Sequence, residues 1–172
     1  MSDAESLSRT NSPLLAELLQ NGNDVTRWHT FPNLLPQNVA AHSWGVAMIV
    51  MSLYPNTPEK MLMVQVALEH DLIEKYIGDM PRPARTAEHR RLEESMAHEK
   101  SIFHESMLNL ADRNWLAWAD LIEAGLHARR EHAAGNSRYQ EVIQRVSEYI
   151  KTAGTEVPLE LRIFAEHAGV TV

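Results

Sequence analysis

The stretch "ALEHDLIEKYIGDMP", from Ala67 to Pro81, sets Glu69, His70, Asp71 and Glu74 almost together inside an otherwise apolar run of helical period. On a continuous helix His70 and Glu74 form an i, i+4 pair on one face, and Asp71 points about 100° away. Side chains so placed can clasp one object if it lies at a crowded seam between helices, and a metal ion at a bundle seam meets that condition. Two more ligands would then come from other helices. His42 in "NVAAHSWGVAMIV" and Asp120 in "NWLAWADLIEAGL" are candidates, because each is a polar group in strongly apolar surroundings. A charge there is costly unless it is paired or metal-bound. Taken singly, His42 also fits a satisfied core histidine, and Asp120 a helix-surface or capping acid. Jointly the four groups all have imidazole or carboxylate chemistry and all sit on apolar helical seams. The chain has no cysteine, so thiolate sites and disulfides are excluded and any metal sits on His and carboxylate ligands.

The elements that must position these groups read as helices nearly everywhere. Ser12-Pro13 opens a first helix with the stripe Leu14, Leu15, Leu18 and Leu19 before Gly22. Asn38 caps a second, from about Val39 to Leu53, with Val39, Val46, Ile49, Val50 and Leu53 inward; Tyr54-Pro55 ends it. Thr57-Pro58 starts a third, with Met61, Val64 and Leu68 periodic, running through the opening stretch to Gly78. "GDMPRPAR" is a loop, since two prolines block regular structure. Thr86 caps a long polar helix to about Leu110, and Asn114 caps the next, which ends by Gly135. Ser137 with Gln140 has the capping-box pattern before Val142, Ile143, Val146 and Ile150, and Pro158 opens a last helix toward His167. No run alternates with period two over strand length, and no repeat, linker or domain break is visible. The expectation is one all-α domain over residues 1–172, with about seven helices.

With 172 residues, 44% hydrophobic and 23% charged, the composition suits one globular domain with a real core. A net charge of −7 argues against a nucleic-acid polymer as partner, which needs a basic face, but allows one small anion held by a few arginines. The N-terminal "MSDAESLSRTNS" has no basic n-region and no apolar h-region, and "VAMIVMSLY" is too short to span a bilayer. The expectation is a soluble cytoplasmic protein with no membrane partner.

The order His42, His70-Asp71, Asp120 resembles the ligand order of the HD-domain metal-dependent phosphohydrolases. The flanks carry the likeness further: "RW" at Arg27-Trp28, "PQNVAAHS" from Pro36, "EHDLIEKYIGDMPRPAR" from Glu69, and "ADLIEA" are similar to the 5′-deoxynucleotidase branch and to compact phage dATP triphosphohydrolases. The resemblance spans roughly residues 27–125. It implies that His42, His70, Asp71 and Asp120 hold one divalent cation (Co, Mn, Zn, Ni or Fe), with Glu74 beside it handling the attacking water. It implies further that Asp79 touches the sugar or leaving-group region, that Arg27 and Arg85 bind phosphate, and that Trp28 lines the nucleoside pocket. Relatives usually have Lys where Arg85 stands, and often an aliphatic residue where Thr30 stands, so Thr30 bears on base preference. The elementary chemistry agrees: a divalent ion activates water, a carboxylate relays its proton, and guanidinium groups make charge-assisted contacts to phosphate. Each residue also has an ordinary alternative: core packing for Trp28, surface charge for Arg27 and Arg85, a turn-former for Asp79 and a helix-surface acid for Glu74.

His89, His98 and His104 crowd the polar helix and are expected to be solvated, with His89 near the mouth of the site and able to touch a phosphate. Met48, Met51, Met61 and Met63 are expected as core filler. The expected function is hydrolysis of the 5′-phosphate ester of a deoxynucleotide, as a 5′-deoxynucleotidase on dNMPs; a dNTP triphosphohydrolase releasing tripolyphosphate is the alternative, and a homo-oligomer is expected. A non-catalytic helical regulator keeping the fold is a reading of another class, against which the complete tetrad with Glu74 argues. A di-iron or di-manganese carboxylate bundle needs Glu-x-x-His pairs, and no Glu here has a His three residues later.

Overall fold

A computed structural model describes residues 20, 22–79, 86–100 and 102–171. Among them the fold is all-α, as the periodicity predicts, with seven α-helices and one isolated bridge between Thr26 and Asn38. The helices are α1 (Val39–Leu53), α2 (Lys60–Glu69), α3 (Glu74–Ile77), α4 (Ala87–Glu99), α5 (Leu110–Ala133), α6 (Tyr139–Ala153) and α7 (Leu159–His167). The helix expected from Ser12-Pro13 lies outside the described residues apart from Gln20, which is helical; residues 22–24 are helical too, past the end expected at Gly22.

Asn38 caps α1 as its sequence predicts: its extended backbone frees the side chain to accept from Ala41 N at 2.8 Å. Thr86 does the same for α4 through His89 N at 3.1 Å. Four boundaries differ from expectation. The third helix is not continuous but breaks over residues 70–73 into α2 and α3, because hydrogen bonds there run from Leu72 N to Glu69 O and from Glu74 N to Asp71 O, one residue short of the α pattern. Helix α4 stops at Glu99 rather than near Leu110: Ile102 must be buried, and Phe103 N donates to Glu69 Oε2 at 2.9 Å, which holds the chain in a loop. Helix α5 starts at Leu110, capped by Asn109 through Asp112 N at 3.0 Å, and Asn114 lies inside it. The Ser137–Gln140 capping box does not form, since Arg138 takes the cap position of α6 without a side-chain bond.

Helices α1 and α2 are paired neighbours, and the 24-residue α5 packs against both as well as against α6 and α7. Their meeting buries Val46, Val50, Met63, Val66, Ala119, Ile122, Ile150 and Leu161, each aliphatic side chain contributing roughly 1.5–3 kcal/mol. A smaller cluster of Val39, Leu72, Ile73, Ala97 and Ile102 backs the helix break. A third, Ala128, Tyr139 and Ile143, supports Trp28 and Phe31. The methionines only partly follow expectation: Met63 is fully buried, but Met48, Met51 and Met61 are exposed, as is Leu68. The face of α2 that goes inward is Met63, Val64, Val66 and Ala67. Among the described residues no helix is long and apolar enough to cross a membrane.

Candidate metal centre and cavity

The helix break places the opening motif. Three residues per turn make positions i and i+3 eclipse, so Asp71 and Glu74, rather than His70 and Glu74, come to share a side. His70, Asp71 and Glu74 all line one cavity. Glu69 points elsewhere, tying down Phe103. Across the seam, α1 supplies His42 and α5 supplies Asp120.

One ligand atom from each of His42, His70 and Asp120 lies within 4.8 Å of the other two. His42 Nε2 is 2.9 Å from Asp120 Oδ1 and 3.6 Å from Asp71 Oδ2, and His70 Nε2 is 3.3 Å from Asp71 Oδ1. The structure therefore brings all four expected ligands together.

The donor chemistry suits a cation. His70 Nδ1 is 2.9 Å from the Ala67 carbonyl, which only accepts, and His42 Nδ1 faces the Glu123 carboxylate. Each Nδ1 therefore carries a proton and each Nε2 is left to the seam, where the carboxylates of Asp120 and Asp71 face it. Burial and the Arg27 charge both oppose a positive His42, yet the contacts with Asp120 and Glu123 raise its pKa to about 9. The surroundings of this nitrogen favour positive charge, which a proton or a divalent ion supplies. Burial also works against the Asp71 carboxylate, but His70, Arg27 and His42 hold it well below the usual carboxylate range.

Arg27 reaches this cluster from the bridge between residues 26 and 38, where its N–H donates to Gln37 O at 2.9 Å. Its guanidinium pairs with Asp71 Oδ2, and although burial opposes the charge, Asp71, Asp120, Glu74 and Asp79 keep it firmly protonated. Trp28 follows at φ 58°, in the left-handed region, which costs a non-glycine residue about 1–2 kcal/mol. The strained turn is held by Phe31 N donating to Trp28 O at 2.8 Å. The indole stacks on His127 with centroids 5.6 Å apart and meets Tyr139 edge-on at 5.5 Å. Trp28 thus both packs and lines the cavity.

The cavity measures about 640 Å³. Its lining includes the polar groups Arg27, His70, Asp71, Glu74, Asp79 and Asp120 and the apolar groups Leu116, Leu121, Ala124, Val142 and Val146, with Arg145 on the same helix as the two valines. Thr30 lines it too, and Asp79 lies 3.4 Å from His29 Nδ1. His89 is not among the lining residues: its Nε2 sits 3.3 Å from Glu93, while its neighbour Arg90 does line the cavity. Arg85 lies outside the described residues. His104, expected to be solvated, is buried and lines the cavity, because the loop after α4 turns inward; burial lowers its pKa.

Sequence reasoning missed the groups behind the centre. Glu123 bonds His42, Gln37 bonds Glu123, and Glu131 holds the loop that carries Trp28 and Thr30 by accepting from Leu34 N and Leu35 N. Glu123 lies inside "ADLIEA" and Gln37 inside "PQNVAAHS", the one trace that each leaves in the sequence.

The sequence pattern of the HD domain family matches residues 21–123. A dATP triphosphohydrolase of Salmonella phage PMBT28 is 29% identical over 142 residues, covering 73% of each chain. A 5′-deoxynucleotidase of Erwinia tasmaniensis is 29% identical over 118 residues, 63% of this chain and 59% of that one. In three dimensions the chain is similar to a cyanophage S-2L HD phosphohydrolase bound to dA and one catalytic Zn2+ ion, with a TM-score of 0.63 and 21% identity over 90% of this chain and 95% of that one. That last likeness is one of fold. The family match covers more than half of the residues, including His42, the His70-Asp71 pair and the Glu74 that follows them. The chain belongs to the HD domain family.

Proposed function

We propose that the protein is a metal-dependent phosphohydrolase that cleaves the 5′-phosphate ester of 2′-deoxynucleotides, acting on dNMPs as a 5′-deoxynucleotidase. The observation that carries this reading is the convergence of His42, His70, Asp71 and Asp120 beside a cavity lined by the last three and by Arg27 and Trp28. The similarity to a phage dATP triphosphohydrolase and a bacterial 5′-deoxynucleotidase supports the substrate class.

In this reading His42, His70, Asp71 and Asp120 would hold one divalent ion; Co, Mn, Zn, Ni and Fe all suit such ligands. When bound, the ion lowers the pKa of water and offsets charge on a phosphoryl oxygen. Glu74, buried and on the cavity wall, takes the proton from the attacking water. Arg27 holds the phosphate while its other face stays on Asp71. Arg85 would add a second phosphate contact. Trp28 lays its ring against the nucleoside, Asp79 meets the sugar, and Thr30 borders the base. His89 faces Glu93, so Arg90 is better placed for a phosphate at the rim. The whole of residues 1–172 would form one such unit, working in the cytoplasm.

A second reading, a dNTP triphosphohydrolase, has its own support: the relative of that name aligns with more of the chain, and Arg90 on the cavity wall suits a longer anion. Turnover of a panel of dNMPs and dNTPs with each metal, with the product identified as phosphate or tripolyphosphate, decides between them. No hydrolysis of either class by the metal-loaded protein would refute both.

The protein would also work as a homo-oligomer. Helix α1 has no Asp, Glu, Lys or Arg, and its outer face shows Trp44, Met48 and Met51, 64%, 45% and 45% exposed. Met61 and Leu68 extend the apolar surface on neighbouring α2. A specific interface buries at least about 1,000 Å² in total, so a two-fold pairing would draw on this face of both copies. A monomeric mass in solution would refute the assignment; Trp44→Glu should dissociate the assembly.

A further inference from the structure

Behind the metal centre runs a chain of hydrogen bonds that returns to the substrate wall. We infer that Glu123 and Gln37 are positioning residues that fix the direction of His42 Nε2 and tie it to Trp28, and that Gly45 leaves the space their arrangement needs. The inference rests on the reading of His42 as a metal ligand.

Every group in the chain has one available role. The Trp28 indole N–H only donates, and it donates to Gln37 Oε1 at 3.1 Å. That fixes the Gln37 amide, whose Nε2 donates to Glu123 Oε1 at 2.8 Å. The other oxygen, Glu123 Oε2, takes the proton of His42 Nδ1, and so directs Nε2 into the seam with Asp120 and Asp71. Gln37, His42 and Glu123 are all buried, so water is a poor substitute for any link. The same Gln37 accepts from Arg27 N through its backbone oxygen, so one residue touches both walls of the site.

Gly45 sits one turn after His42 on α1. A Cβ there would lie 2.8 Å from Glu123 Cγ and 3.1 Å from Oε1. These atoms belong to the stem and head of a fixed side chain, so a methyl group displaces the carboxylate from His42. A glycine in a helix interior otherwise costs about 1 kcal/mol relative to alanine.

Two substitutions disturb the chain in unrelated ways. Glu123→Gln preserves shape but puts an amide N–H2 where two donors, His42 and Gln37, already converge. The imidazole answers by moving its proton to Nε2, the nitrogen meant for the ion. Gly45→Ala keeps every polar group and moves Glu123 by contact alone. Outer partners of this kind typically change metal affinity by about 10–100-fold. Gln37→Leu cuts the link to Trp28, so it should raise the KM for deoxynucleotide while lowering metal affinity less than the other two.

The experiment is a chelator-competition titration of Zn2+, Mn2+ and Co2+ against the wild type and the three variants. It is paired with 1H–15N NMR of the His42 ring in metal-free protein, with pH raised until the ring signals stop changing, so that the two tautomers of the neutral ring are compared. The expected result is Nδ1–H in the wild type, Nε2–H in Glu123→Gln, and the affinity losses given above in both Glu123→Gln and Gly45→Ala. An unchanged tautomer in Glu123→Gln, or affinities of both variants within twofold of wild type, would overturn the inference. A wild type that binds no divalent ion would instead refute the phosphohydrolase reading, and the tautomer comparison would still decide the role of Glu123.

Discussion

Arg27→Ala should weaken the metal-free fold and the grip on substrate while leaving the hold on metal intact or tighter. Arg27 and Asp71 are paired with side chains 15% and 10% exposed, so solvent replaces little of what is lost. A charge-assisted hydrogen bond contributes about 1.5–3 kcal/mol net. At about 2–4 °C per kcal/mol for a domain of this size, the chelator-treated variant should melt roughly 3–12 °C below wild type. The acids that Arg27 faces, Asp71, Asp120, Glu74 and Asp79, then lose a counter-charge, so a divalent ion meets less repulsion. Substrate phosphate loses a partner, and its KM should rise roughly tenfold or more. A pH arm sharpens the test. The Asp71 pKa is depressed in the fold, so its contribution is complete above the unfolded value of about 3.9 and is lost as pH falls through the folded value. Without Arg27 the folded value rises toward the unfolded one, so Asp71 contributes less stability at neutral pH, and its acid-dependent loss is smaller and complete at higher pH. The assays are thermal melts with and without metal across pH 3–7 and steady-state kinetics. An unchanged melting temperature together with an unchanged KM would show that Arg27 is a bystander.

Glu74→Ala should retain the fold and bind metal, since removing one acid from a cluster of like charges relieves repulsion, but turnover should fall by about 10²-fold or more; wild-type kcat in the metal-loaded variant would remove Glu74 from proton transfer. Deoxynucleotides should be favoured over ribonucleotides in kcat/KM by about 1–3 kcal/mol if a 2′-hydroxyl crowds Asp79, and equal values for dAMP and AMP would return Asp79 to a turn-forming role. Glu131 is fully buried; although burial raises a carboxyl pKa, its bonds from Leu34 N, Asn136 and Leu35 N hold it low. Its stabilisation should therefore be present above the unfolded value of about 4.3 and fade as pH falls toward the folded one; Glu131→Gln should flatten that part of the stability profile, and a superimposable profile would refute it.

The sequence showed most clearly what local chemistry decides. Asn38, Thr86 and Pro158 mark helix starts because capping and a fixed proline φ act within four residues. The break at residues 70–73 carries no glycine or proline, so it was invisible; the burial of Leu72 and Ile73 against Ala97 and Ile102 selects it. The end of α4 was hidden for the same reason, since the burial of Ile102 and the bond from Phe103 to Glu69 are tertiary facts. His42, His70, Asp71 and Asp120 were legible because imidazole and carboxylate groups stand out on apolar helices. Glu123 and Gln37 were not, since a glutamate inside a long helix and a glutamine just before one each have many ordinary uses.

The far end of the substrate-side loop, residues 32–35, is fastened by residues that come late in the chain. Leu34 N is held by Glu131, 97 positions on, Pro32 O by Asn136 at a separation of 104, and Asn33 by Tyr139 at 106. Helices α1 and α2 are joined by a short connection and can pair early, whereas closing so long a loop is slow. Three of the four candidate ligands therefore lie on or next to elements that can pair before the Trp28 wall closes. A ribosome-bound chain ending before Glu131 would carry His42, His70, Asp71 and even Asp120, yet have no closed pocket for a nucleotide. Acquisition of metal can precede acquisition of substrate specificity, and the final helical turns of α5, far from the chemistry, set the moment at which the second begins.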